Sequence, residues 1–77
     1  MNEIAKFKEE LNTIFDKQEG QLSEDTRLRE DLNAKSAHYF GIIASINELL
    51  GKNISYSKIK KCETIGEVLS LFKSLEA

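Results

Sequence analysis

Apolar residues recur at helical spacing near the start of the chain. They follow the pattern i, i+3, i+7, i+10, which places on one helical face Ile4, Phe7, Leu11 and Ile14. Asn2 is a suitable N-cap, Glu3 lies in the first turn, and Gly20 lies beyond the end. The pattern therefore predicts a first helix over residues 3–17.

A long polar stretch, from Gln18 to Lys35, follows the first helix. Loops of this length are usually functional or disordered. Three leucines interrupt it at regular intervals, namely Leu22, Leu28 and Leu32. We expect these leucines to hold the loop against the core.

The next apolar segment predicts a helix over residues 36–50. It ends before Gly51, because glycine adopts the left-handed conformation of a helix C-terminus at the lowest energetic cost. On a helical wheel, the stripe that we expect to be buried consists of Tyr39, Ile42, Ile43, Ile46 and Leu50. The residues on the other side, which we expect to face outward, are Ala37, Phe40, Gly41, Ala44 and Glu48.

Two shorter segments complete the pattern. A short third helix is predicted near residues 55–61. The apolar residues of this region that we expect to face the core are Ile54, Ile59 and Cys62. Thr64 and Glu67 have the spacing of a capping box, in which each side chain satisfies a backbone donor at the other residue. They open a fourth helix, whose apolar face is Ile65, Val68, Leu69, Phe72 and Leu75. The prediction is one all-α domain over residues 1–77, a small four-helix bundle with a long first loop and a short third helix.

Composition and charge narrow the possible functions. A chain of 77 residues supports one small core and leaves few residues for the walls of a deep active-site cleft. Its net charge of −2 argues against a nucleic-acid partner. A single Cys and a single His can form neither an intramolecular disulfide nor a structural zinc site. No signal peptide and no apolar run of membrane-spanning length are visible, so we expect a cytoplasmic protein with no membrane partner.

The residue types of catalytic sites lack the spacing that catalysis needs. Ser36 and His38 are two residues apart, and side chains at i and i+2 of a helix do not face each other. Cys62 stands at an apolar position, which favours an inert buried thiol. A small basic cluster, more typical of a solvated face than of a phosphate site, consists of Lys58, Lys60 and Lys61. We therefore expect a protein that is not an enzyme and holds no metal.

The stretch around Ser36 resembles the attachment segment of acyl carrier proteins. Residues 30–37 read Glu-Asp-Leu-Asn-Ala-Lys-Ser-Ala, where that family commonly has acid-Asp-Leu-Gly-Ala-Asp-Ser-Leu. Residues 25–28 are similar to its loop entry, and residues 64–68 to the junction of its third and fourth helices. The resemblance extends without gaps from about residue 23 to residue 72, and it implies the same helical bundle.

For Ser36, the resemblance implies a covalent 4′-phosphopantetheine arm, derived from coenzyme A and joined through a phosphodiester. A helix N-terminus favours such a phosphate. The thiol of the arm would hold acyl groups as thioesters, while the protein supplies position and recognition. The implied partners are a phosphopantetheinyl transferase and the acyl-transferring or acyl-modifying enzymes of fatty acid, lipid or polyketide biosynthesis, and we expect a monomer. Taken alone, Ser36 would be interpreted as an N-cap, but the flanking residues favour attachment.

The chain departs from the family on its second helix. Lys35 and Ala37 stand where the family commonly has Asp and Leu, and His38, Gly41 and Asn47 stand where it commonly has acids. The residues that we expect to dock partners are Lys35, Ala37, His38, Phe40, Gly41, Ala44 and Glu48. The apolar members of this set, Ala37, Phe40, Gly41 and Ala44, form a strip on the outward side of the helix. An exposed apolar strip usually marks an interaction surface when it is contiguous. We therefore expect a specialised carrier that serves its own dedicated enzymes.

Two other functions stay open on the sequence alone. A peptidyl or aminoacyl carrier would have the same fold and arm and would be loaded by an adenylating enzyme, although the Gly-Gly that such members often carry is absent. A degenerate carrier-like interaction domain would never receive the arm, because Lys35 and Ala37 impair recognition by the transferase.

Overall fold

The computed structural model describes residues 3–76, which form four helices in the predicted order. These are α1 (Glu3–Ile14), α2 (Ser36–Leu50), α3 (Tyr56–Lys60) and α4 (Ile65–Glu76). Within residues 3–76, the β-structure is limited to an isolated antiparallel bridge between Arg27 and Thr64. The prediction of an all-α bundle with a long first loop and a short third helix is confirmed. The predicted N-cap Asn2 lies outside the described residues.

The helix α1 ends three residues before its predicted end. Asp16 adopts a left-handed conformation with φ 54°. Its N–H donates to the Thr13 carbonyl at 3.2 Å, and the Lys17 N–H donates to the Asn12 carbonyl at 2.8 Å. These two bonds form a Schellman motif, which satisfies the last helical carbonyls. The predicted end at residue 17 is therefore wrong, because Asp16 ends the helix and Gly20 has no part in it.

The core joins all four helices and the long loop. The stack of Phe7 on Phe72, with ring centroids 4.2 Å apart, joins α1 to α4. Buried apolar side chains are Phe7, Leu11, Phe15, Leu28, Tyr39, Ile42, Ile46, Ile59, Ile65, Val68, Leu69 and Phe72. The predicted stripe of α2 is confirmed for three of its residues, whereas Ile43 and Leu50 are only partly buried against this core.

The long loop is attached to the start of α4 through backbone hydrogen bonds. The Ile65 N–H donates to the Thr26 carbonyl and the Gly66 N–H to the Glu24 carbonyl, each at 2.9 Å. In return, the Leu28 N–H donates to the Glu63 carbonyl at 2.9 Å. The first N–H groups of a helix have no partner within it, so the loop supplies the acceptors that α4 needs. Leu28 is fully buried, and Leu22 and Leu32 pack against the core, as predicted.

Side chains complete the N-terminal cap of α4. The Thr64 Oγ1 accepts from the Glu67 N–H at 3.2 Å, which is half of the predicted capping box. The Glu67 carboxylate accepts instead from the N–H of Glu63, at 2.6 Å. The predicted bond to the Thr64 N–H is therefore wrong by one residue. Thr64 itself forms the isolated antiparallel bridge with Arg27.

The helices α2 and α3 have ends close to those predicted. Gly51 follows α2 in a left-handed conformation with φ 67°, and its N–H donates to the Asn47 carbonyl at 2.8 Å. Ser55, predicted as the first residue of the third helix, is instead its N-cap, and its Oγ accepts from the Lys58 N–H at 3.2 Å. No helix among the described residues has the length and apolar character that a membrane crossing requires.

Candidate functional site

Ser36 is an exposed residue in the first turn of α2. Lys35, in extended conformation, is the N-cap, so Ser36 is the first helical residue and not the cap. The Ser36 Oγ lies 3.2 Å from the Tyr56 Oη, and either hydroxyl can donate in this pair. The interpretation of Ser36 as an ordinary N-cap is therefore not supported, because its hydroxyl faces a side chain of α3 instead of the backbone of α2.

A tightly hydrogen-bonded turn precedes Ser36. The Asp31 carboxylate accepts from the Arg27 N–H at 2.8 Å, and the Ala34 N–H donates to the Leu28 carbonyl at 2.9 Å. Asn33 has φ 54°, a left-handed conformation that Asn tolerates better than most residues other than Gly. This is the position at which acyl carrier proteins commonly have Gly. The left-handed conformation at this position, which Gly adopts readily, is here adopted by Asn33.

The electrostatic environment of Ser36 favours an anion. The first turn of α2 contains no acidic residue, and the helix dipole places partial positive charge at this end. Lys35, which stands where the family commonly has Asp, is exposed and adds a full positive charge next to Ser36. A phosphodiester on the Ser36 Oγ would therefore carry its negative charge in a favourable field.

His38 is held by contacts within the chain. Its ring stacks on Phe15 with centroids 4.9 Å apart, and this contact joins α2 to the end of α1. Its Nδ1 accepts from the Lys35 N–H at 2.7 Å, so the imidazole joins the first turn of α2 to the backbone of its N-cap residue. The predicted docking role of His38 stays a prediction, and the structure adds a local role in stabilising the turn at Ser36.

The other predicted docking residues differ in exposure. Lys35, Ala37, Phe40, Ala44 and Glu48 are all exposed, in agreement with their assignment to the outward side. Phe40 is 56% exposed and is the one exposed large apolar side chain among the described residues. These five positions are accessible to a partner, and their role in docking stays a prediction.

The assignment of Gly41 to the outward side of α2 is wrong. A Cβ on Gly41 would lie 3.4 Å from the side chain of Ile14, and the residue is partly buried. The helix α2 packs on α1 along this side, so its buried arc is wider than the apolar stripe of the wheel. Because Gly has no side chain, the wheel contained no apolar signal at this position.

Tyr56 is the site residue that the sequence did not reveal. Besides its contact with Ser36, its ring lies 4.9 Å from the ring of Phe40 and 6.0 Å, edge-on, from that of Tyr39. The Lys60 Nζ lies 5.7 Å from its ring centroid. Since α3 has five residues, helical periodicity is too short to indicate which of them face α2. The one sequence feature that indicates where α3 begins is Ser55, a typical N-cap residue directly before Tyr56.

Two other polar groups have distinctive environments. The Tyr39 Oη is buried and has no hydrogen-bond partner among the described residues. Cys62 is partly buried, and this burial, followed by the negative charge of Glu67, raises the pKa of its thiol. A raised pKa disfavours the reactive thiolate, so the prediction of an inert thiol agrees with this environment.

Within residues 3–76, no group of three or more His, Cys, Asp or Glu side chains is placed to hold a metal ion.

Comparison with known proteins finds relatives of one kind. Acyl carrier proteins from Borreliella burgdorferi, strains ZS7 and ATCC 35210, are each 28% identical to this chain over 70 residues, which cover 91% of this chain and 88% of theirs. An acyl carrier protein from Borrelia garinii subsp. bavariensis has the same identity and coverage. No family model matches the chain. The chain is thus similar, over nearly its whole length, to proteins that act as carriers.

Proposed function

We propose that this protein is an acyl carrier protein that holds acyl intermediates as thioesters on a 4′-phosphopantetheine arm attached to Ser36. The observation that carries the proposal is the geometry at Ser36. Its exposed hydroxyl lies at the positive end of α2, directly after a turn whose left-handed residue, Asn33, matches the family's Gly. The similarity to acyl carrier proteins supports the same assignment.

Attachment is a phosphoryl transfer in which Ser36 is the acceptor. Its Oγ attacks the phosphorus atom of coenzyme A that bears the pantetheine, and an Oγ–P bond forms. The P–O bond of the pyrophosphate breaks, and adenosine 3′,5′-bisphosphate leaves with the electron pair. The hydroxyl proton passes to a base of the phosphopantetheinyl transferase, because no base of this chain contacts the Ser36 Oγ in the described structure. When bound, the arm supplies the thiol that forms the thioester.

The surface around Ser36 is the proposed docking site for partner enzymes. It consists of Lys35, Ala37, His38, Phe40, Ala44 and Glu48, together with the partly buried Gly41 at the border with α1. Glu48 is its only acid, so charge steering toward basic patches is weak, and recognition depends on Phe40. We therefore propose a carrier that acts in the cytoplasm as a monomer and serves a dedicated biosynthetic pathway of fatty acid, lipid or polyketide type.

Mass spectrometry of the intact protein tests the proposal. The protein is incubated with coenzyme A, Mg²⁺ and a broad-specificity phosphopantetheinyl transferase, and one phosphopantetheinyl group should be added. Ser36→Ala should abolish the addition, whereas the matched control Ser57→Ala, at another exposed serine, should leave it intact. Absence of an adduct with every transferase tested, or an adduct on another serine, would overturn the carrier assignment and favour a carrier-like interaction domain. Loading by an adenylating enzyme and not by an acyl-transferring one would identify a peptidyl or aminoacyl carrier.

A further inference from the structure

We infer that the surface formed by Phe40 and Tyr56 binds the phosphopantetheine arm of the same chain. In this arrangement the Tyr56 hydroxyl donates to the phosphate of the arm, and the two aromatic rings contact the geminal dimethyl group that follows it. The inference rests on the proposed attachment at Ser36 and adds to it two residues of this chain, Phe40 and Tyr56, that contact the arm.

The hydrogen bond between Ser36 and Tyr56 supports the phosphate contact. The Ser36 Oγ lies 3.2 Å from the Tyr56 Oη, and in the unmodified chain either oxygen can be the donor. Once the Ser36 Oγ is esterified it carries no hydrogen, so Tyr56 becomes the only possible donor of the pair. The non-bridging phosphate oxygens lie one P–O bond beyond the Oγ and carry the negative charge. A hydroxyl donating to an ionised acceptor makes a stronger bond than one donating to another hydroxyl.

The position of Phe40 supports the apolar contact. Ser36 and Phe40 are four residues apart, so their side chains are neighbours on one face of α2, with Cβ atoms about 5–6 Å apart. The Phe40 ring is 56% exposed, and its covered part packs on Tyr56 with a centroid distance of 4.9 Å. The geminal dimethyl group is the most apolar part of the arm and begins within a few bonds of the phosphorus. It can therefore reach Phe40 while the phosphate contacts Tyr56.

Lys60 helps to define the orientation of this surface. Its Nζ lies 5.7 Å from the ring centroid of Tyr56, a cation–π distance, on the side of α3. The Tyr56 ring is also in edge contact with the buried Tyr39. These contacts on several sides restrict the rotation of Tyr56 and keep its hydroxyl at Ser36 before the arm is attached. A partner enzyme that takes the arm would then have to displace it from the same aromatic residues.

NMR of the loaded protein tests the inference without any acyl-transfer activity. The methyl protons of the geminal dimethyl group should resonate upfield of those in the urea-unfolded loaded protein, because protons over the face of an aromatic ring are shielded. Phe40→Leu, which keeps an apolar side chain and removes the ring, should lose most of this upfield shift and leave the ³¹P resonance in place. Tyr56→Phe, which keeps the ring and removes the hydroxyl, should move the ³¹P resonance toward that of the urea-unfolded loaded protein and retain most of the methyl shift.

The outcomes separate this inference from the proposed function. Mass spectrometry first establishes loading at Ser36 in each variant, and failure to load the parent protein would overturn both proposals. Loading with methyl resonances equal to those of the urea-unfolded loaded protein would overturn the inference and leave the carrier function standing. A ³¹P resonance that Tyr56→Phe does not move would overturn the phosphate contact. Circular dichroism of each variant establishes that it is folded.

Discussion

Gly66 and Gly41 are both helical glycines, yet we expect the same substitution to Ala to have opposite effects on stability. A Cβ on Gly66 would lie 3.0 Å from the carbonyl oxygen of Glu24 and 3.1 Å from its Cβ. The nearest obstacle is a backbone atom, so the loop would have to move away from α4. The Gly66 N–H bonds the same Glu24 carbonyl at 2.9 Å, so this movement breaks or weakens that bond.

The size of the effect follows from two opposing terms. Replacing Gly by Ala within a helix favours folding by about 0.5–1 kcal/mol. Moving the loop weakens the bonds that Gly66 and Ile65 make with it, each of which contributes about 0.5–1.5 kcal/mol. The loss exceeds the gain, and we expect Gly66→Ala to lower the free energy of unfolding by about 1 kcal/mol. That is a large fraction of the roughly 3–5 kcal/mol expected for a domain of this size.

Gly41→Ala is the matched control. Its Cβ would lie 3.4 Å from the Ile14 side chain, an ordinary van der Waals contact, and Gly41 has no left-handed conformation to preserve. Gly41→Ala therefore has only the gain from replacing Gly by Ala within a helix, and the free energy of unfolding should rise by about 0.5–1 kcal/mol. Urea unfolding followed by circular dichroism measures both changes. If Gly66→Ala is as stable as the parent protein or more so, the argument from the loop contact is refuted.

Three further substitutions test other parts of the structure. Thr64→Ala removes the side-chain cap of α4 and should lower the free energy of unfolding by about 1 kcal/mol, measured in urea, whereas Thr13→Ala, at an exposed threonine of α1, should change it little. Tyr39→Phe removes a buried hydroxyl without a described partner, and thermal unfolding should show a protein that is as stable or more stable, by up to about 1–3 kcal/mol. A clear loss would reveal that the hydroxyl is hydrogen-bonded. Phe40→Ala should leave folding and arm attachment intact and weaken binding to the cognate enzymes by about 2 kcal/mol or more, measured by calorimetry. A large loss of stability would instead identify Phe40 as a core residue.

The helices were predictable where a strong local signal and the tertiary contacts agree. The second helix begins at Ser36 and ends before Gly51 as predicted, because its apolar stripe and its left-handed glycine both act locally. The end of α1 was not predictable in the same way. Asp16 takes the left-handed position there, and Asp is a common residue in many conformations, so its presence gives little information about the turn.

The site was predictable only in part, for a related reason. The motif around Ser36 predicts an attachment site, and the turn before it contains the left-handed Asn33. Gly41 and Tyr56 depend on how α1 and α3 pack against α2, and this packing is long-range information. A helical wheel of α2 includes only the residues of α2, so it cannot reveal the contact of Gly41 with Ile14 of α1. The five residues of α3 are too few for their periodicity to show which side packs on α2. Whether Ser36 carries the arm stays a prediction for the loading experiment.

The attachment of the long loop to α4 affects which sequences this fold can accept. The contacts at Glu24, Thr26 and Glu63 are made by their carbonyl groups and those of Ile65 and Gly66 by their N–H groups. Every amino acid has a carbonyl, and every one except proline has an N–H, so most side chains at these positions are compatible with the same hydrogen bonds. The link between the loop and α4 therefore depends little on which side chains stand along it. Gly66 is the exception, because a Cβ at this position would lie 3.0 Å from the Glu24 carbonyl oxygen.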